Sequence, residues 1–77
     1  MQLEFQTPSR GYTVILVRDL FGDYVLYRRW YGLHCKRWGT KRQVFFSEDA
    51  ALATLRRIVR TRQRHGYMPI GEPSDQP

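Results

Sequence analysis

The chain is poor in the residues that cross-link or anchor small proteins. Cysteine occurs once, as Cys35, so no disulfide within the chain can brace the fold, whereas secreted domains of this size usually carry several. No apolar run approaches the roughly 18 residues that cross a bilayer, and the opening MQLEFQ lacks the basic-then-apolar order of a secretory signal. The expectation is a soluble protein of a reducing cytoplasm with no membrane role. The six glycines are scattered, which excludes a phosphate-cradling glycine-rich loop. Acid is scarce as well: seven Asp+Glu stand against thirteen Lys+Arg, for a net charge of +6. With 77 residues there is material for one domain, since domains usually run to roughly 100 to 200 residues. A chain this short buries only about 60% of the surface its unfolded form exposes, so a deep multi-residue active-site cleft is not expected.

What is present is aromatic and cationic. Two Trp, five Tyr and four Phe supply large buried areas per side chain and compensate for the short length. All thirteen cations lie between Arg10 and Arg64, where the only acids are Asp19, Asp23, Glu48 and Asp49, leaving that span at +9. All but Lys36 and Lys41 are arginine, whose planar fork suits bidentate phosphate contacts and stacks on rings. A polyanionic partner follows.

Along the chain, Gln2 to Gln6 reads as an edge strand closed by the turn cluster Pro8-Ser9-Arg10-Gly11. Tyr12 to Arg18 is rich in β-branched residues and reads as a central strand. The turn Asp19-Leu20-Phe21-Gly22-Asp23 leads into a second β-rich run, Tyr24 to Trp30, completing a hairpin. On that second strand Tyr24, Leu26, Arg28 and Trp30 share one face, and Val25, Tyr27, Arg29 and Tyr31 the other. Residues 32–42 read as an irregular basic loop, and Gln43 to Phe46 as a final strand.

The helix is well marked. Ser47 is an N-cap, Glu48 and Asp49 complement the positive end of the helix dipole, Gly66 fits a left-handed C-cap and Pro69 forbids continuation. The expected span is Ser47 to His65. At 100° per residue, Ala51, Leu52, Leu55, Ile58 and Val59 form an apolar arc, with Arg56, Arg57, Arg60 and Arg64 opposite. Arg62 falls inside the apolar arc, and snorkelling past the end of the sheet would relieve it. The expected fold is α+β: a twisted antiparallel sheet of about four strands with one long amphipathic helix across a face. Residues 1–67 form the domain, and 68–77, with three prolines and no aromatic, are expected to be a disordered tail.

In order, DLFGD, DYVLYRRW, the basic connection and FFSEDAALATLRRIVRTRQRHGY resemble the WGR domain. The resemblance runs from about Tyr12 to Tyr67. It rests on Leu20-Phe21-Gly22 leading to a strand ending at Trp30, on the helix entry Phe46-Ser47-Glu48-Asp49-Ala50, and on the close Gly66-Tyr67. Of the triplet that names the family only Trp30 is present, followed here by Tyr31 and Gly32. The resemblance implies an antiparallel sheet crossed by one helix, and DNA binding at strand ends or nicks with the tryptophan ring against sugar. With no arginine after Trp30, Arg37 or a neighbour has to supply the guanidinium.

Two candidate surfaces result. The first joins Lys36, Arg37, Lys41 and Arg42 with Trp30 and Trp38, plus Arg28 or Arg29, combining counterion release with ring stacking. Trp30 reads either as core beneath the helix or as a contact ring, and Trp38, in a polar stretch, as exposed. The second is the helix stripe Arg56, Arg57, Arg60 and Arg64, whose charges lack an acid within one turn. No catalytic residues, metal or cofactor are expected: His34 and Cys35 are adjacent, which on an extended backbone sends them to opposite faces, and the acids cap or turn. The reading is a non-catalytic, largely sequence-independent nucleic-acid-binding domain, with DNA favoured through the resemblance and no small-molecule substrate. The alternative is a protein-interaction or regulatory module that binds an acidic partner or self-associates through an uncovered sheet face.

Overall fold

In the computed structural model, which describes residues 1–70, a five-stranded antiparallel sheet carries one helix across one face. The elements follow as β1 (Gln2–Gln6), β2 (Arg10–Arg18), β3 (Tyr24–Gly32), β4 (Trp38–Phe45), α1 (Glu48–Arg64) and β5 (Met68–Ile70), and the sheet order is β4-β3-β2-β1-β5. The expected α+β architecture is therefore present. The central hairpin pairs Tyr12 with Trp30, Val14 with Arg28 and Leu16 with Leu26. Alternation along β3 then places Leu26, Arg28 and Trp30 under the helix and Val25, Tyr27, Arg29 and Tyr31 on the open face.

The β2–β3 turn is built by its aspartate. Asp19 Oδ1 accepts from the N–H groups of Phe21 and Asp23, both at 2.9 Å, and Gly22 takes φ +85°, which a side chain would oppose. Leu20 and Phe21 are left at the apex. At the helix start Ser47 is extended and its Oγ accepts from Ala50 N–H at 3.1 Å, as an N-cap should.

The core lies between helix and sheet and consists of Phe5, Tyr12, Val14, Leu26, Leu55, Ile58 and Tyr67. The open face has no helix. There Val25 is buried between its ladder partners Val17 and Val44, both partly exposed.

Three expectations are corrected. The stretch 32–42 is not irregular throughout: only Leu33 to Arg37 form a loop, and β4 begins at Trp38, pairing Tyr31 with Trp38 and Arg28 with Lys41. Pairing with a strong neighbouring strand overrides the weak β-preference of Gly39, Lys41, Arg42 and Gln43. The expected tail from Met68 is in part a strand, because Gln6, Phe5 and Glu4 on the edge of β1 pair with Met68, Pro69 and Ile70. Proline is compatible with such an edge position. The rest of that expected tail, 71–77, lies outside the described residues. The third correction concerns Arg62 and belongs to the site.

Candidate functional site

The helix ends in a way that builds a binding wall. Gly66 takes φ +83°, its N–H donates to the Gln63 carbonyl at 3.1 Å, and Tyr67 N–H donates to the Arg62 carbonyl at 2.9 Å. This is the paired hydrogen-bond pattern of a Schellman turn, in which the residue after the glycine folds back on the helix three residues before the cap. Those residues here are Tyr67 and Arg62. The Arg62 guanidinium lies 5.0 Å from the Tyr67 ring centroid and 4.3 Å from that of Tyr12, and the two rings meet edge to face at 6.2 Å. Arg62 therefore does not snorkel past the sheet: two aromatic rings hold its charge, since a ring face attracts a cation. Its Nε is buried with no hydrogen-bond partner.

Tyr12 also organises the neighbouring strand. Its hydroxyl accepts from Arg28 Nε at 2.8 Å, and Arg28 Nη1 donates to Gln43 Oε1 at 3.3 Å. On the other side Tyr12 stacks with Trp30 at 6.2 Å and 23°. The Trp30 indole lies flat across Gly39 of β4, where a Cβ would come within 2.5 Å of the ring. So the sequence pair Trp38-Gly39 has two functions. Gly39 seats Trp30 on the helix side, and Trp38 projects from the opposite side of β4, 68% exposed. Trp30 is not part of the buried core: one side of its ring packs on Gly39 and the residue is 40% exposed.

These side chains line an open cleft of about 920 Å³ at the sheet end where β2 begins, β3 ends and β4 begins. Two loops complete it. Leu33 N–H donates to the Ser9 carbonyl at 2.9 Å, and His34 Nε2–H donates to the Pro8 carbonyl at 3.2 Å. His34 and Cys35 both line this cleft; they sit in the loop, so the alternation of an extended backbone does not govern them. The lining holds four arginines (Arg10, Arg28, Arg37 and Arg62), five aromatic rings and, among the described residues, no carboxylate. The contacts of Arg28 and Arg62 are accordingly a phenol, an amide and ring faces, so their charge is not neutralised. A groove of about 240 Å³ adjoins it along the helix, sharing Tyr12, Arg28 and Arg62 and adding Lys41 and Arg57.

The sheet divides the residues expected to form one surface. Trp30, Arg28 and Arg37 border the cleft, as does Trp38 from the open-face side, and Lys41 borders the adjoining groove. Arg29 and Arg42 lie on the open face, Arg29 over the Tyr31 ring at 5.5 Å, while Lys36 is exposed in the loop. Of the helix stripe, Arg56, Arg60 and Arg64 face solvent away from both hollows, and only Arg57 borders the groove. Sequence reasoning missed Tyr12, Arg62, Tyr67 and Arg10. The signal for Arg62 was its place in the apolar arc; the partners of that charge lay in distant strands.

Chemically the cleft offers planar surfaces for a base or sugar and guanidinium donors for phosphate oxygens. Among the described residues no group of three or more His, Cys, Asp or Glu is arranged to hold a metal, and no helix is long and apolar enough to cross a membrane. No family model, curated protein or solved structure matches the chain.

Proposed function

We propose that the protein is a non-catalytic nucleic-acid-binding domain that holds an unpaired or terminal stretch of DNA in the aromatic cleft, largely independent of sequence. The observation that carries this reading is the coincidence, in one cleft, of exposed indole surface from Trp30 and Trp38 with arginines that no lining carboxylate neutralises. Rings stack on any base because every base has a π-face, at about 1–3 kcal/mol each. Guanidinium–phosphate contacts add affinity through counterion release without reading sequence. The resemblance to WGR domains supports DNA over RNA and ends or nicks over continuous duplex. Arg37 and Arg62 line the cleft with Trp30, and they stand in for the arginine that the chain lacks after that tryptophan.

The test is fluorescence-anisotropy binding to intact, nicked and blunt-ended duplex, single-stranded DNA and heparin, each at two salt concentrations near physiological. Tighter binding to nicked or ended DNA that survives the higher salt is expected. Equal binding to every polyanion, erased by salt, would reduce the cleft to a generic basic surface.

A further inference from the structure

The opposite end of the molecule has the reverse character. Leu20 and Phe21 at the β2–β3 apex are 101% and 89% exposed, and Phe46, in the β4–α1 connection, is 86% exposed. Pairing of Tyr24 with both Arg18 and Phe45 brings the apex and this connection to the same end of the sheet. Nothing in the fold calls for these side chains. The turn is made by Asp19 and Gly22, and residues this exposed add nothing to the core. Three large apolar side chains left in solvent at one sheet end make that end a candidate contact surface.

Its electrostatics are equally distinct. Asp19, Asp23, Glu48 and Asp49, all four acids of the span that carries every cation, lie at this end. The nearest arginine, Arg18, is exposed but lies against the turn, with Nε donating to the Gly22 carbonyl at 3.4 Å and the guanidinium over Tyr24 at 5.7 Å. One end of the sheet is thus apolar and acidic, and the other is aromatic and basic. Opposed charges steer encounter and fix orientation, and leucine and phenylalanine side chains suit a hollow walled by rings.

We infer that the Leu20-Phe21 apex of one copy docks in the arginine-lined aromatic cleft of a second copy, head to tail. Such a contact uses two different patches, so it does not close on itself in a dimer and extends to a third copy. The cleft then holds either a neighbour's apex or a polyanion, and DNA disperses the assemblies. Only this competition rests on the nucleic-acid reading; the association does not.

Complementation of two variants tests it. L20S/F21S removes the apex and keeps the cleft, while W38S impairs the cleft and keeps the apex. Both change exposed side chains, and circular dichroism checks that each is folded. In sedimentation velocity the wild type is expected to grow in mass with concentration, and each variant alone to remain monomeric. An equimolar mixture of the two variants should form a species of twice the monomer mass and nothing larger. A wild type that is monomeric at every concentration, or a mixture that stays monomeric while the wild type associates, overturns the proposal. A short duplex added to the wild type should return it to protein–DNA complexes with one copy per cleft. If head-to-tail association stands but neither duplex nor single strands bind, the nucleic-acid reading falls and this one remains. If DNA binds through the cleft of a wild type that never associates, the reverse holds.

Discussion

Arg62→Met separates what the fold needs from what the cleft needs. The guanidinium makes two cation–π contacts, with Tyr12 and Tyr67, worth about 0.5–2 kcal/mol each depending on desolvation. Against this stands the Nε–H, buried without an acceptor, a condition that costs about 1–3 kcal/mol. Methionine removes both terms and sets a flexible apolar chain, with favourable sulfur–ring contacts, at a position of the apolar arc. The two losses nearly cancel, so stability should change by no more than about 1 kcal/mol. In a domain this small that is a melting shift of no more than about 4–8 °C.

Binding has no such compensation. A hydrogen bond to a charged group is worth about 1.5–3 kcal/mol, so R62M should lose roughly ten- to a hundredfold in DNA affinity. The salt slope on duplex should fall by about 0.9, one phosphate's worth. Urea unfolding and anisotropy titrations at several salt concentrations read the two quantities independently. R62M destabilised by more than about 2 kcal/mol, with affinity and slope unchanged, would make Arg62 a structural strut and refute the reasoning.

Gly39→Ala forces a Cβ to within 2.5 Å of the Trp30 indole; it should cost about 1–3 kcal/mol by overpacking and shift the tryptophan fluorescence as the ring leaves its seat. Ser47→Ala removes the Oγ acceptor for Ala50 N–H and should lower stability by about 1 kcal/mol in thermal unfolding, with DNA affinity at the same fraction folded unchanged. The pair Arg56→Glu and Arg60→Glu lies outside both hollows; DNA affinity should fall only by the long-range charge effect, with dependence on nicks and ends retained. Loss of that dependence in a folded double variant would move the interface onto the helix.

The helix and the central hairpin were legible because their signals are local. Ser47, Gly66 and a 3.6-residue apolar arc fix the first, and a β-branched run before and an aromatic-rich run after an Asp-initiated turn fix the second. The alternation that places Arg28 and Trp30 on one side of β3 and Arg29 on the other follows from the two-residue period alone. The third strand pair was harder. Gly39, Lys41 and Arg42 have little β-preference of their own, and β4 exists from Trp38 onward because β3 offers a ladder to pair with. The same holds for β5, whose Met-Pro-Ile carries no alternation and is a strand only because the Schellman turn delivers it to the free edge of β1. The cleft was half legible. Its tryptophans and the loop arginine stood out as cations beside rings. Gly66 marks locally where the helix ends, but Tyr12 meets Arg62 and Tyr67 through the packing of helix on sheet, which no local pattern encodes.

Sequence and fold agree at nearly every level here, and in a well-specified fold the positions that break local rules are where function is expected. Two places break them. An arginine occupies the apolar arc of α1, and a leucine and a phenylalanine stand in solvent at the apex of a turn that other residues make. The two are not alike in kind. Arg62 is tied into the fold, because the Gly66 turn that ends the helix also lays Tyr67 against it, so changes at the cap and changes in the cleft are coupled. Leu20 and Phe21 touch no core and can be replaced without structural consequence. A contact that joined them would therefore be tunable at the apex without cost to the fold, whereas the Arg62–Tyr67 wall of the cleft can be altered only together with the helix end that forms it. If the two ends meet, partner choice evolves most readily at the apex, and the cleft stays fixed by the fold that carries it.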